Sequence, residues 1–140
     1  MVHLSYLKRR FYEQAQPNFW KYKEDSESSQ RKWFLDLVSS QNYLAFVSKK
    51  DHQLSGFVIG CLVNPPEVYD AGLTLFIDDF CVENTDNWMI DGLALYQRIR
   101  EEAFSRDAKQ VVIVSGSHDI KKRDFLREIN LSLASEWYVG

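Results

Sequence analysis

The period of the apolar positions changes several times along the chain, and each change marks an element. From Val2 to about Gln16, Leu4, Leu7, Phe11 and Ala15 recur at helical spacing, with Lys8, Arg9, Arg10 and Glu13 between them. This predicts an amphipathic first helix. Pro17 ends it, because the residue before a proline is pushed away from helical backbone. The aromatic run Phe19, Trp20, Tyr22 follows, and then the polar stretch KEDSESSQRK. A second helix is expected from about Ser28 to Ser39, with Trp33, Phe34, Leu37 and Val38 inward. Tyr43–Ser48 and Leu54–Val63 read as strands, and the connection Lys50-Asp51-His52-Gln53 makes them a hairpin. Asn64-Pro65-Pro66 cannot continue a ladder, so a loop is expected to run to Gly72.

The stretch from Leu73 to Ile99 organises the rest. Leu73–Val82 is apolar and rich in strand formers, interrupted only by Thr74, Asp78 and Asp79. That suits a mostly buried central strand. In the polar loop ENTDNW, Asp86 or Asn87 is placed to cap the next helix. On that helix Gly92, Leu95 or Tyr96, Ile99 and Ala103 share a face, and it ends near Arg106-Asp107. Gln110–Ser115 is a short β-branched run, as in a buried parallel strand. A last helix covers roughly Lys121 to Ile129. Leu131–Val139 alternates in part and is expected to close the sheet. The order predicts one α+β, sandwich-like domain over residues 1–140, with a mixed, mostly antiparallel sheet flanked by helices.

Composition narrows the function classes. A net charge of −3 makes no electrostatic case for nucleic acid, which asks for a basic domain or stripe. No apolar run reaches membrane-spanning length, and no signal-peptide pattern opens the sequence. Cys61 and Cys81 lie in apolar strand-like runs, which points to buried free thiols in a reducing cytoplasm. Two cysteines are too few for a cysteine zinc site, and His3, His52 and His118 lack ligand spacing. A metal-free protein is expected.

The order of strand (IDDFCV), loop, Gly-containing helix start, helix and then the strand VVIVSG resembles the acetyl-CoA-binding core of the GNAT superfamily of N-acetyltransferases. With smaller flanking blocks, the resemblance covers most of the chain. The family's loop signature is Arg or Gln, two residues, Gly, one residue, then Gly or Ala. Its three motif positions fall here on Asn87, Ile90 and Gly92, and only Gly92 matches. The resemblance implies acetyl-CoA as co-substrate, a primary amine as acceptor, transfer within a ternary complex, and a homodimer. It also implies a strand before the first helix and a further strand after Leu131–Val139; neither is obvious in this sequence.

Carried over residue by residue, the resemblance assigns roles. Backbone groups of Asn87, Trp88, Met89, Ile90, Asp91 and Gly92 would hold the cofactor's pyrophosphate at a helix start. Those of Phe80, Cys81 and Val82 would pair with the pantetheine arm. Asp119 takes the position of an Asn that lies near the adenosine end, and Lys122 within the basic trio Lys121–Arg123 would meet the 3′-phosphate. Asp78 matches a Glu of polyamine-acetylating members, and either Asp78 or Asp79 is a candidate base or amine anchor. Adjacent strand residues face opposite sides, so only one of the two is expected in a given cleft. Asp78 is expected to share its side with Phe76, Phe80 and Val82, where burial would raise its pKa. Leu126 stands where the family has its proton-donating Tyr, which leaves His118, Tyr138 or water to replace it. Phe19, Trp20 and Tyr22 would wall the acceptor site, and the acid pair suits a small cationic amine. Two other readings remain: a non-catalytic GNAT-like binding module, and a GNAT that moves a bulkier acyl group. Cys81 as a nucleophile is disfavoured by its apolar neighbours.

Overall fold

The computed structural model describes residues 1–140, and in it a hairpin seeds the sheet. Strands β1 (Tyr43–Lys50) and β2 (Gln53–Val63) meet at Asp51 and His52, both with positive φ (50° and 65°). That is the mirror-image turn whose twist matches a tight hairpin. Strand β3 (Thr74–Val82) runs antiparallel to β2, and β4 (Gln110–Ile113) lies parallel to β3, so the sheet order is β1-β2-β3-β4. Helices α1 (Val2–Ala15) and α2 (Ser26–Val38) precede the sheet. After β3, a 3₁₀ turn over Thr85–Asn87 and a π-helical turn over Trp88–Gly92 lead into α3 (Leu93–Ser105). Helix α4 (Ile120–Glu128) follows β4. The architecture is α+β, with a mixed, mostly antiparallel sheet between two pairs of helices.

The two faces of the sheet carry separate cores. On one, Leu75, Ile77, Phe80 and Val82 pack with Leu95, Ile99, Trp88 and Phe125 from the α3 and α4 side. On the other, Phe57, Ile59 and Cys81 meet Leu4 of α1 and Phe34 and Leu37 of α2. Gly92, Leu95, Tyr96, Ile99 and Ala103 are buried, as their helical spacing predicts.

Several expectations need correction. The buried face of α1 is Leu4, Ser5 and Tyr12, while Leu7 and Phe11 are half-exposed and Ala15 is exposed. The helix is rotated because Ser5 and Lys8 bond a carboxylate of the sheet, which a purely apolar face would leave unpaired. Val38 points to solvent rather than inward. Leu131–Val139 forms no strand, so β4 has a neighbour on one side only. Asn87 holds the N-cap position of the π-helical turn but its side chain makes no capping bond, and the side-chain cap in this loop is Asn84, whose Oδ1 accepts from the Asp86 N–H at the 3₁₀ turn.

Candidate functional site

The central strand carries an extra residue. Asp79 pairs with Ile59 and Ile77 with Gly60, which leaves Asp78 without a partner as a β-bulge. An inserted residue resets the alternation of side chains. Leu75 and Ile77 therefore join Phe80 and Val82 in the α3-side core. Asp78 does not share their side, and the two aspartates do not face opposite ways. Both line one cleft of about 480 Å³ between α1, the segment after it, the start of α2 and β3.

The pair divides its work. Asp79 is buried, accepts from Ser5 Oγ at 3.2 Å and forms an ion pair with the Lys8 ammonium. Asp78 is exposed to the cleft and bonds no other side chain, only its own backbone N–H and that of Asp79. The protein mass around it, and then the charge of Asp79, raise its pKa above the ordinary carboxylate range. Phe19, Trp20 and Tyr22 line the same cleft, with Trp20 edge-on to Tyr12 at 5.2 Å. Lys8, Arg9 and Tyr12 were not singled out from the sequence. The recurrence of Ser5, Lys8 or Arg9, and Tyr12 one turn apart was the available signal, since a buried strand carboxylate calls for a facing cation.

On the other side of β3, the strands part. Parallel pairing runs only from Thr74 with Gln110 to Ile77 with Ile113, closed by the Val114 N–H on the Ile77 carbonyl at 2.9 Å. Lys122 fills the wedge beyond. Its Nζ donates to the Phe80 carbonyl at 3.1 Å and to the Val114 carbonyl at 2.9 Å. The ammonium also lies 5.5 Å from the Phe80 ring and 5.9 Å from the Trp88 ring. The side chain is fully buried, and that burial pulls its pKa down to about 8. The expectation that Lys122 meets a phosphate at the surface is therefore corrected. Asp119, also buried, caps α4 by accepting from the Lys122 N–H at 3.3 Å. It accepts from the Tyr12 hydroxyl at 3.1 Å as well, and Tyr12 in turn accepts from the Gly116 N–H. Both commitments tie Asp119 to α1 and α4.

The turn into α3 is packed from within. Trp88 is buried, stacks on Phe125 at 5.2 Å and meets Phe80 edge-on at 4.9 Å. A Cβ at Gly92 would lie 2.5 Å from the Trp88 ring. Met89 and Ile90 are exposed, and Asp91 accepts from Ser55 Oγ at 3.1 Å. Asp86 pairs with Lys121 at 2.9 Å. Cys81 faces the α1 side, where burial first and then the Asp79 charge push its thiol up to about 12. It is not a thiolate at neutral pH.

Neither proposed proton donor is set up as an acid. His118 packs edge-on against Phe11 and Tyr12, and burial lowers its pKa, so the ring is largely neutral at pH 7. Tyr138 is exposed in the segment after α4 and donates to Glu136 at 2.7 Å. No three His, Cys, Asp or Glu side chains converge to hold an ion, and no helix is long and apolar enough to cross a membrane.

No family model matches the chain, and no curated protein matches its sequence. Solved structures do match. A mutant of the BH1408 protein from Bacillus halodurans superposes with a TM-score of 0.85 at 12% identity, over 99% of this chain and 88% of that one. The aminoglycoside 6′-N-acetyltransferase AAC(6′)-IG from Acinetobacter haemolyticus gives 0.70 at 12% identity, over 84% and 82%. AAC(6′)-Iy, in complex with a bisubstrate analogue that joins CoA to acetylneamine, gives 0.68 at 10% identity, over 99% and 90%. The likeness extends over most of each chain, and this chain has the GNAT fold.

Proposed function

We propose that the chain is a GNAT-type N-acetyltransferase that moves acetyl from acetyl-CoA directly to a primary amine of a small acceptor. The observation that carries this reading is Asp78: an unpaired carboxylate with a raised pKa, set by a bulge into an aromatic-walled cleft. The wedge adjoins that cleft, because Val114 lines the one and turns its carbonyl into the other. Lys122 serves as a stand-in donor in the wedge. Its two bonds mark the Phe80 and Val114 carbonyls as acceptors there, which suits the amide N–H groups of a pantetheine arm.

In this reading backbone groups of Phe80, Cys81 and Val82 hold that arm once Lys122 withdraws. Those of Asn87 to Gly92 hold the pyrophosphate at the entry to α3. Bound acetyl-CoA supplies the activated acetyl thioester. Asp78 takes a proton from the acceptor's ammonium, directly or through water, and leaves a free amine able to attack. A raised carboxylate pKa makes that transfer more favourable. Asp79, neutralised by Lys8, positions α1 against β3 rather than handling protons. Leu126, in the place of the family's tyrosine, cannot donate one. A homodimer and a cytoplasmic setting belong to the same reading.

A second reading, a non-catalytic GNAT-fold binding module, is favoured by one observation. Lys122 closes the wedge, and Lys121, the cation that reaches the loop, is taken up by Asp86. Calorimetric titration with acetyl-CoA and with CoA separates the two. Micromolar binding, followed by acetylation of an amine in a screen, supports the enzyme. No binding up to millimolar cofactor sinks it and leaves the module.

A further inference from the structure

The cleft that holds Asp78 is basic, although the whole chain carries −3. Lys8, Arg9, Lys21 and Lys23 line it, against Asp78 and Asp79. Lys8 is taken up by Asp79. Arg9, Lys21 and Lys23 enter no ion pair, so three free cations face one free carboxylate.

Arg9 is the most confined of the three. Its Nε donates to the Ser5 carbonyl at 3.3 Å, and its guanidinium lies 5.7 Å from the Tyr22 ring. Its Nη2 is shut off from water and has no acceptor. A buried donor without a partner destabilises the fold until an acceptor reaches it. A carboxylate or phosphate is the group whose geometry answers a guanidinium fork. Lys21 and Lys23 are exposed at the rim, where they would draw an anion in and repel a polyamine.

We propose that the cleft takes a primary amine that also bears an anionic group, a carboxylate or a phosphate, with the anion on Arg9 and the amine towards Asp78. The aromatic walls cover the body between the two. This departs from the cationic acceptor that the acid pair suggests in the sequence, because the structure neutralises Asp79. It rests on the proposed enzyme only in making the amine an acetyl acceptor, and binding alone tests the preference for an acid-bearing amine.

The test is calorimetric titration of the full chain, without cofactor, with two matched pairs of probes. These are L-phenylalanine against 2-phenylethylamine, and glucosamine 6-phosphate against glucosamine. At least one acid-bearing probe should bind about tenfold or more tightly than its acid-free counterpart, ~1.4 kcal/mol, and the responding pair tells carboxylate from phosphate. Arg9→Met should abolish that difference. Should this variant unfold, the double rim variant Lys21→Gln/Lys23→Gln should reduce it several-fold. Equal binding within both pairs, preference for the acid-free amines, or no binding by any probe at millimolar concentration overturns the proposal. Acid preference without any acetyl transfer would sink the enzyme reading alone.

Discussion

Lys122 on α4 donates to the carbonyl oxygen of Phe80 on β3 at 3.1 Å, and so holds closed the gap in which β3 and β4 stop pairing. The bond spans 42 positions of sequence and joins the helix after β4 to the C-terminal part of the central strand. Its second bond, to Val114, spans the mouth of the gap. The wedge is thus a polar seam filled by the chain's own ammonium.

Replacing that ammonium should change how stability responds to pH. The folded pKa of Lys122 is about 8 against an ordinary 10.5. Between these values the unfolded chain keeps a proton that the folded chain has released. The Lys122 contribution to stability therefore rises with pH through this window, on the order of 2–3 kcal/mol in all. Tyr12 and Cys81, whose folded pKa values are raised, act in the opposite sense. The quantity to read is hence the difference between wild type and Lys122→Met in urea unfolding, which should grow in favour of wild type from pH 8 to 10.5. A flat difference would contradict the buried ammonium. In the enzyme reading the same variant should bind CoA about tenfold more tightly, because it leaves both carbonyls open.

Lys8→Met should be severely destabilising. It would leave Asp79 buried with only Ser5 as a donor, and stripping one partner from a buried pair costs about 3–5 kcal/mol. Chemical denaturation at pH 7 measures this. Adding Asp79→Leu to Lys8→Met should recover part of the loss, and a merely additive double variant would contradict the pairing.

Asp78→Asn should separate chemistry from folding. The side chain is exposed and unpaired, so the melting temperature should stay within a few degrees of wild type. If Asp78 is the base, the acetylation rate with the best acceptor should fall about 10²-fold or more. In wild type, activity should fall as pH drops through the raised Asp78 pKa, at a higher pH than an ordinary aspartate would give. An unchanged rate in the variant would remove Asp78 from the reaction.

Gly92→Ala should lower stability whether or not any cofactor is present. The new methyl would lie 2.5 Å from the Trp88 ring, which Phe80 and Phe125 hold in place. Overpacking of this kind costs about 1–3 kcal/mol. Thermal unfolding of the free protein reads it directly, and an unchanged midpoint would show that Trp88 can yield. The same clash makes Gly92 a poor probe of cofactor binding.

The order and type of the elements were legible because they rest on local periodicity. The hairpin at Asp51-His52, the buried stripe of α3 and the apolar run of β3 each depend on neighbours a few residues apart. The resemblance to the GNAT core was legible for the same reason, since it is an order of such elements. What misled was the strict alternation assumed for IDDFCV. A bulge at Asp78 is set by pairing with β2, which no pattern within one strand reports, and it turned both aspartates to the same cleft.

Long-range charge pairing decided the rest. Lys8 and Lys122 look like ordinary surface lysines of amphipathic helices, yet each is drawn inward by acceptors more than 40 positions away, Asp79 and the Phe80 carbonyl. Leu131–Val139 shows the converse, because strand-like composition makes no strand without a ladder to join. The sequence by itself determined the order of the four helices and four strands and the buried stripe of α3, since these follow from side-chain spacing. Only the tertiary structure decided which carboxylate is free, which lysine is buried and what charge the cleft presents, because those depend on partners brought together by the fold.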